Sequence, residues 1–409
     1  MKEKLVIKNF GPIKSVELEL GRFTILIGEQ GTGKSTIAKV LAVCRYFSYI
    51  IDELGTYPSI KSDSSFLEGL AAWGLDEGIY ENSYINYSCI HYSVTIEKST
   101  IILHRNLHPV LTEQSEIILL KPKLEAKSNE FQNLLNQLEK IKPSYTEDRS
   151  PNAIAEPVWR IPYSFYSIDV KNVLDNPFYL PTDRGLQSIF SVGQSSLQNM
   201  NNFLFNYYSK VDGILRTFNK ETEVEPLDIF YENRNGIGYI RKKNEKKYYL
   251  LYNAASGYQS TVPVVLVMKY YELKKRKKTF IIEEPELNLF PTAQNRLMQY
   301  FVEKTIVNAD KIFFTTQSPY TLTSLNNMMY AYQVGKIDAN KTAAIIDNKY
   351  WLNPDEVSVY MLNRGGTAEN IMDREILQIK AEKIDEVSRE FNREYDEMLD
   401  IKYAKNNEG

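Results

Sequence analysis

The chain has 409 residues, 43% of them hydrophobic, with 49 Lys and Arg against 52 Asp and Glu and a net charge of −3. That is enough apolar chain for a sizeable core and for two domains, and it excludes a globally basic protein drawn to nucleic acid or anionic lipid by its net field. Two cysteines, Cys44 and Cys89, cannot build a disulfide framework, no run approaches the roughly 20 apolar residues of a membrane span, and the opening "MKEKLVIKNFG" lacks a signal peptide's apolar stretch. The reading is a soluble, cytoplasmic protein with no membrane partner.

In chain order, "RFTILI" (22–27) reads as a buried strand and "KSTIAKVLAVCRYFSYI" (34–50) as a helix. Between them, Gly28, Glu29, Gln30, Gly31, Thr32, Gly33, Lys34, Ser35 and Thr36 complete the phosphate-loop pattern G-x-x-x-x-G-K-[ST]. Its glycines let the backbone wrap an anion, and its N–H groups face that anion together with the helix N-terminus. Lys34 would reach the β- and γ-phosphates of ATP, and the Ser35 hydroxyl would bind Mg²⁺.

Residues 51–179 read as an inserted mixed α/β segment. It holds aromatic strand-like runs in "YINYSCIHYSVTIEKSTIILH" (84–104) and one helical patch, "NEFQNLLNQLEKI" (129–141), far too short for a long coiled coil. The three histidines, His91, His104 and His108, sit in strand and loop sequence that argues against a metal site. "PFYLPTDRG" (177–185) reads as a plain surface turn.

"AASGYQS" (254–260) precedes the helix-like "TVPVVLVMKYYELKKRK" (261–277). Ser256 fits the N-cap of that helix, whose N-terminus can present N–H groups to a phosphate. The basic run "KKRKK" (274–278) complements the helix dipole, with a DNA contact as the alternative. "TFII" (279–282) is a strand that runs straight into Glu283, Glu284 and Glu286. Beside a phosphate loop, Glu283 is the acid on the Mg²⁺ side and Glu284 the general base for water. A helix-N-terminus reading of "EEPE" suits Pro285 and Glu286 but leaves two acids behind an apolar strand unexplained. "KIFFTTQSP" (311–319) is a strand ending beside Gln317, well placed to sense a γ-phosphate.

Beyond 330, "YAYQVGK" (330–336) and "AAIID" (343–347) look strand-like, and residues 371–399 look like one strongly charged helix. Asp347, Asp355 and Glu356 are isolated acids that read as solvated loop positions and form no metal triad.

The order "IGEQGTGKS", "ASGYQS", "FIIEEPELNLFP", "FFTTQSP" resembles the ABC-type ATPase core shared by SMC, RecF and OLD-family proteins, and most of all the stand-alone AAA ATPases of bacterial anti-phage systems. The resemblance spans roughly 1–50 and 180–330. It implies an α/β P-loop ABC-type ATPase head, with the 51–179 insertion and a helical C-terminal region over 331–409 that binds a partner. It further implies ATP and Mg²⁺ as cofactors, with ATP sandwiched between heads of a homodimer or larger homo-oligomer. Ser256, Gly257 and Gln259 match the signature that contacts the other subunit's γ-phosphate. The resemblance of "PFYLPTDRG" to Pro-x-x-Arg segments of these ATPases implies that Asp183 and Arg184 lie near nucleotide or dimer contacts, with Gln187 as a candidate glutamine-loop residue. Gln317 stands at the switch-histidine position, and Phe290 where relatives often carry His, so the implied hydrolysis is slow or effector-dependent. Too few residues follow the core for an OLD nuclease domain. The implied role is therefore a sensor or scaffold that controls a separate toxic effector encoded nearby, often a nuclease. The alternative is a RecF-like DNA-maintenance ATPase that binds DNA.

Overall fold

Apolar residues at every second position form the first layer. Leu5, Ile7 and Phe10 of strand β1 (Glu3–Phe10) and Ile13, Val16, Leu18 and Leu20 of β2 (Ile13–Leu20) are buried, the pattern of a sheet with one wet face. The structure, a computed structural model, describes residues 3–54, 75, 79–89, 92–97, 100–105, 177–186, 202–275, 278–308, 310–380 and 393–398. β1 and β2 pair antiparallel, and β4 (Ile79–Ser88), β5 (Tyr92–Glu97) and β6 (Thr100–Arg105) extend the same sheet in the order β2-β1-β4-β5-β6. Residues 79–105 thus belong to the sheet that β1 begins, and the expected insertion does not start at 51 as a separate unit. The register explains this: Ile85 of β4 lies opposite Ile7 of β1, inside the same apolar face.

The second sheet carries the motifs. Its order is β15-β14-β3-β13-β12-β7, with β3 (Phe23–Gly28), β7 (Phe178–Leu180), β12 (Thr279–Glu283), β13 (Lys311–Thr316) and β14 (Val357–Leu362) parallel, and β15 (Ala368–Asn370) antiparallel at one edge. Helix α1 (Lys34–Leu54) lies between the two sheets. Ile37, Val40, Leu41 and Cys44 share one cluster with Leu5 and Ile7 on one side and with Leu26, Ile281 and Phe313 on the other. The opposite face of the parallel sheet, with Phe23, Ile25, Phe280, Ile282 and Phe314, packs against α2 (Asn202–Arg216), α3 (Ser256–Leu273), α4 (Pro291–Asn308) and α5 (Pro319–Gly335). Strands buried on both faces read as unbroken apolar runs, as "FTILI" and "FIIE" do. A small antiparallel sheet, β8 (Thr222–Val224), β9 (Ile229–Arg234), β10 (Ile237–Lys242) and β11 (Tyr249–Leu250), precedes α3. No helix among the described residues is long and apolar enough to cross a membrane.

Several expectations past 330 change. β14 joins the sheet beside β3, so the core does not end at 330. "YAYQVGK" lies in α5, because burial of Leu322, Leu325, Met328, Met329 and Ala331 follows helical spacing across the segment. "AAIID" leaves a short helix, α6 (Ala339–Ala343), capped by the Asp338 side chain, and Ile345 is exposed rather than packed in a strand. Residues 371–380 form a small hairpin, β16 (Met372–Asp373) with β17 (Gln378–Ile379). Ile371, Met372 and Ile379 dock into the core there, and Leu377 has φ +55° at the turn. The charged helix is described only over 393–398, and residues 129–141, His91, His108 and Gln187 lie outside the described residues.

A buried ion pair ties the layers together. Glu3 accepts from Arg45 Nε at 2.6 Å and from the Tyr87 hydroxyl at 2.8 Å, and it pairs with Lys311 at 3.1 Å. Burial alone would push the Glu3 carboxyl up. The Arg45 guanidinium, the Lys311 ammonium and the Tyr87 hydroxyl outweigh it and hold the pKa down at about 2, below the ordinary 4.5. A lowered folded-state pKa stabilises the fold above pH 4.5, and that contribution is lost as pH falls toward 2. At about 1.4 kcal/mol per pKa unit the loss is about 3 kcal/mol. Glu3→Gln should therefore cost about 3–5 kcal/mol at neutral pH, by leaving Arg45 buried without its carboxylate. Urea unfolding of both proteins from pH 7 down to pH 2 checks it, since the wild type should converge on the variant in acid. A gap that persists unchanged into acid would refute this role.

Candidate active site

The phosphate loop follows from the strand beside it. Gly28 lies opposite Leu362 of β14, and a Cβ there would stand 2.6 Å from the Leu362 carbonyl, so only glycine fits. Gly31 (φ +79°) and Gly33 (φ +97°) turn the chain through the left-handed region. Nothing lies within 4 Å of a Cβ at Gly31, so the space over the loop is open. Lys34 opens α1 and is buried, with Nζ donating to the carbonyls of Gly28 (2.6 Å) and Glu29 (2.7 Å). Thr32 closes the loop by donating to the Glu29 carbonyl at 2.8 Å. Glu29, Gln30 and Ser35 are exposed and Thr36 is half-buried. The Glu29 carboxylate is paired with Arg364, from the turn after β14, at 2.5 Å.

Burial lowers the Lys34 pKa, while Glu284, Glu286, Glu283 and Glu29, in that order, raise it. The loop lysine and the acids at the end of β12, two strands along the sheet, therefore share one electrostatic site. Glu283 ends β12 with its carboxylate buried, accepting a hydrogen bond from the Tyr179 hydroxyl of β7. Glu284 has φ +42°, a conformation that non-glycine residues adopt reluctantly and that other groups must hold in place. Its N–H donates to the Thr315 carbonyl (2.9 Å) and hydroxyl (3.2 Å), and its carboxylate accepts from the Gln317 side-chain amide. The structure thus brings Glu284 and Gln317 together at the ends of two adjacent parallel strands.

Glu286 differs from its expected place. Pro285–Asn288 is a turn, and the next helix, α4, starts only at Pro291. Glu286 is buried and accepts from the Thr316 hydroxyl (2.5 Å) and the Gln317 N–H (3.2 Å), and burial pushes its carboxyl up. It braces the Gln317 loop rather than a helix dipole. Arg184 is fully buried, which removes the surface-turn reading. Its guanidinium donates to the carbonyls of Pro181 (2.6 Å), Ser260 (3.2 Å), Glu284 (2.7 Å) and Glu283.

At the start of α3, the N-cap is Ala255 and no side chain caps the helix. Ser256 is its first residue and is exposed, so it is not the cap the sequence suggested. Gly257 is required because a Cβ would meet the Asn288 carbonyl at 2.7 Å, which packs the helix start onto the glutamate turn. Gln259 donates to the carbonyls of Tyr252 (3.0 Å) and Ala254 (2.8 Å) of its own chain, so this amide nitrogen braces the loop entering the helix. Phe290 is 75% exposed nearby in the chain. Tyr179, Arg364 and Thr315 escaped the sequence reading, since each serves the site only through a strand pairing that brings it there. Among the described residues no cluster of three or more His, Cys, Asp or Glu could hold a metal alone. Mg²⁺ at phosphate sites needs only one or two protein oxygens besides the phosphates; of the two residues expected there, Ser35 is exposed and the Glu283 carboxylate is buried against the Tyr179 hydroxyl.

A strand-loop-helix with this glycine geometry and a buried lysine, with paired glutamates at the end of a parallel strand two places along the same sheet, defines a P-loop ATPase with the ABC-type head fold. The chain belongs to the family described as "AAA ATPase domain", which matches residues 1–48 and 76–322. No curated protein matches it in sequence. Among solved structures it is similar to an SMC head bound to the C-winged helix domain of ScpA, at 10% identity over 90% of this chain and 96% of that one, with a TM-score of 0.41. It is also similar to the SMC head domain from Thermotoga maritima, at 10% identity over 91% and 98%, TM-score 0.39. A third is the Smc head with an extended coiled coil, bound to the C-terminal domain of ScpA derived from Pyrococcus furiosus, at 9% identity over 95% and 98%, TM-score 0.40.

Proposed function

We propose that the chain binds ATP on the 28–36 loop and hydrolyses it in a homodimer, or larger homo-oligomer, whose subunits share each nucleotide. The observation that carries this reading is the Gln317–Glu284 hydrogen bond at strand ends that face Lys34. A carboxylate held by a neutral amide is ready to take a proton from water, and no histidine stands there to relay it, which suits slow or effector-dependent turnover. Ser35 and Glu283 would hold Mg²⁺, which would supply charge neutralisation on the phosphates. Lys34 exchanges its two loop carbonyls for the β- and γ-phosphates. Ser256 is exposed at the start of its helix, where it can meet a γ-phosphate bound by Lys34 of the other subunit.

The wider role we infer is that of a cytoplasmic sensor or scaffold in a bacterial anti-phage module, controlling a separate effector, probed as a nuclease. It is supported by the motif resemblance. Co-purification with the product of a neighbouring gene is the expected result. DNA binding by the chain alone, with no such complex, would favour the RecF-like alternative.

The shared site has a direct test. Ser256→Arg should bind ATP nearly normally yet hydrolyse it poorly, because the cation blocks closure. Lys34→Ala should fail on its own loop. A mixed dimer then has one site with both defects and one with neither, so mixing should restore part of the activity once labelling shows subunit exchange. A mixture as inactive as its components, or full-rate hydrolysis by a strictly monomeric sample, would sink the shared site.

A further inference from the structure

Arg184 lies outside the phosphate-loop, signature and strand-end glutamate motifs, and its surroundings go beyond the nucleotide-or-dimer reading of "PFYLPTDRG". It is fully buried, and its guanidinium contacts no carboxylate at hydrogen-bond distance among the bonds it makes. It donates instead to four backbone carbonyls from three different elements. Pro181 belongs to the segment after β7, Glu283 and Glu284 form the end of β12, and Ser260 lies in the first turns of α3. Arginine suits such a task, because its planar fork keeps several donors in fixed relative directions. A buried guanidinium is costly to desolvate, and burial does lower its pKa, while the charges of Glu286, Glu283 and Glu284 act in the opposite sense. A group retained at that cost fixes the geometry of what it touches.

What it touches are two parts with different clients under the shared-site reading. The Glu283–Glu284 turn serves the nucleotide of its own subunit. The Ser256 helix serves the nucleotide of the other. Their packing is close as well: Ser260 Oγ donates to the Leu287 carbonyl at 3.0 Å, and Gly257 sits against Asn288. Tyr208 of α2 reaches the same segment by donating to the Asp183 carbonyl at 2.8 Å. We propose that Arg184 is a positioning residue that makes the glutamate turn and the signature helix move as one body, so that the state of a subunit's own ATP is transmitted to the half-site it lends to its partner. This inference rests on the shared-site reading above.

Its test separates the two. Mixed dimers are isolated through two different affinity tags, one subunit always carrying Lys34→Ala. Only one site then turns over, built from the phosphate loop and Glu284 of the second subunit and the Ser256 helix of the first. Adding Ser256→Arg to the first subunit must silence that site; if it does not, the shared site fails and the coupling falls with it. Arg184→Lys is then placed in either subunit. In the second it disturbs the glutamates, in the first only the lent helix. Coupling predicts that both placements slow turnover, each by about tenfold or more, the scale of small misplacements at a reacting centre. ATP affinity measured on the second subunit should hold steady. A slow rate only when the second subunit carries the change makes Arg184 a brace for its own glutamates, and overturns the coupling. So does no effect in either placement. Should Arg184→Lys not fold, amide exchange in the dilute wild-type monomer decides. Binding of a non-hydrolysable ATP analogue must slow exchange in 254–262 as well as in 279–290, and protection confined to 279–290 overturns the proposal.

Discussion

Lys34→Ala is expected to abolish hydrolysis and to weaken ATP binding by about 10- to 100-fold, the range for losing one charge-assisted contact of about 1.5–3 kcal/mol. The structure sharpens the expectation. Lys34 is buried beneath the loop, and its ammonium is spent on the Gly28 and Glu29 carbonyls, so an incoming triphosphate replaces two neutral acceptors with charged ones. The four carboxylates in its field favour the charged form of the lysine, whose ammonium in turn offsets part of their negative charge. Without it, Glu283, Glu284 and Glu286 would repel the phosphates they should serve. Thermal shift is the simplest measurement. Ligand at a hundred times its Kd stabilises the fold by about 2.7 kcal/mol in the wild type, and the variant at the same ATP concentration should show little of that. Because alanine also removes the buried apolar stem, Lys34→Met, which keeps that stem and lacks only the ammonium, serves as the packing control. Undiminished affinity together with full turnover would overturn the phosphate-loop assignment.

The parts of the site that the sequence discloses are those whose chemistry is local. A glycine spacing, a lysine and a hydroxyl lie within nine residues, and an apolar strand runs directly into its acids, so periodicity and residue type suffice. Glu286 shows the limit. Proline and acids in a row favour a helix start in isolation, but the parallel pairing of β12 with β13 places Glu286 against Thr316 and Gln317, and those bonds draw the segment into a turn. Arg184 shows it again, since an arginine after a proline reads as surface unless the carbonyls that receive it can be seen, and three of the four come from residues 76 to 100 positions away. Beyond 330, "YAYQVGK" is rich in aromatic and β-branched residues, yet helical burial carries through it from Pro319. Tertiary packing decided each of these over local preference.

Glu284→Gln should keep ATP binding and lower hydrolysis by about 10²-fold or more, the usual scale for a lost general base. The geometry makes this a clean substitution. Glu284 receives a hydrogen bond from the Gln317 amide, and a glutamine at 284 can still accept it through its carbonyl oxygen. Its backbone is fixed independently, by Thr315 on one side and by Arg184 on the other, so the φ of +42° does not depend on the side-chain charge. What the variant loses is the ability to accept a proton from water. Binding without turnover should then hold subunits together around ATP, and size measurements with and without ATP should separate the variant from the wild type. Glu283→Gln is the contrast. Its carboxylate is buried and accepts from Tyr179, so an amide there keeps a partner but loses the charge that the proposed function assigns to the Mg²⁺ side. Mg²⁺-dependent ATP binding should suffer first in that variant. If instead Glu283→Gln spares binding while Glu284→Gln destroys it, the two roles are exchanged, and the residue bonded to Gln317 is the one on the metal side.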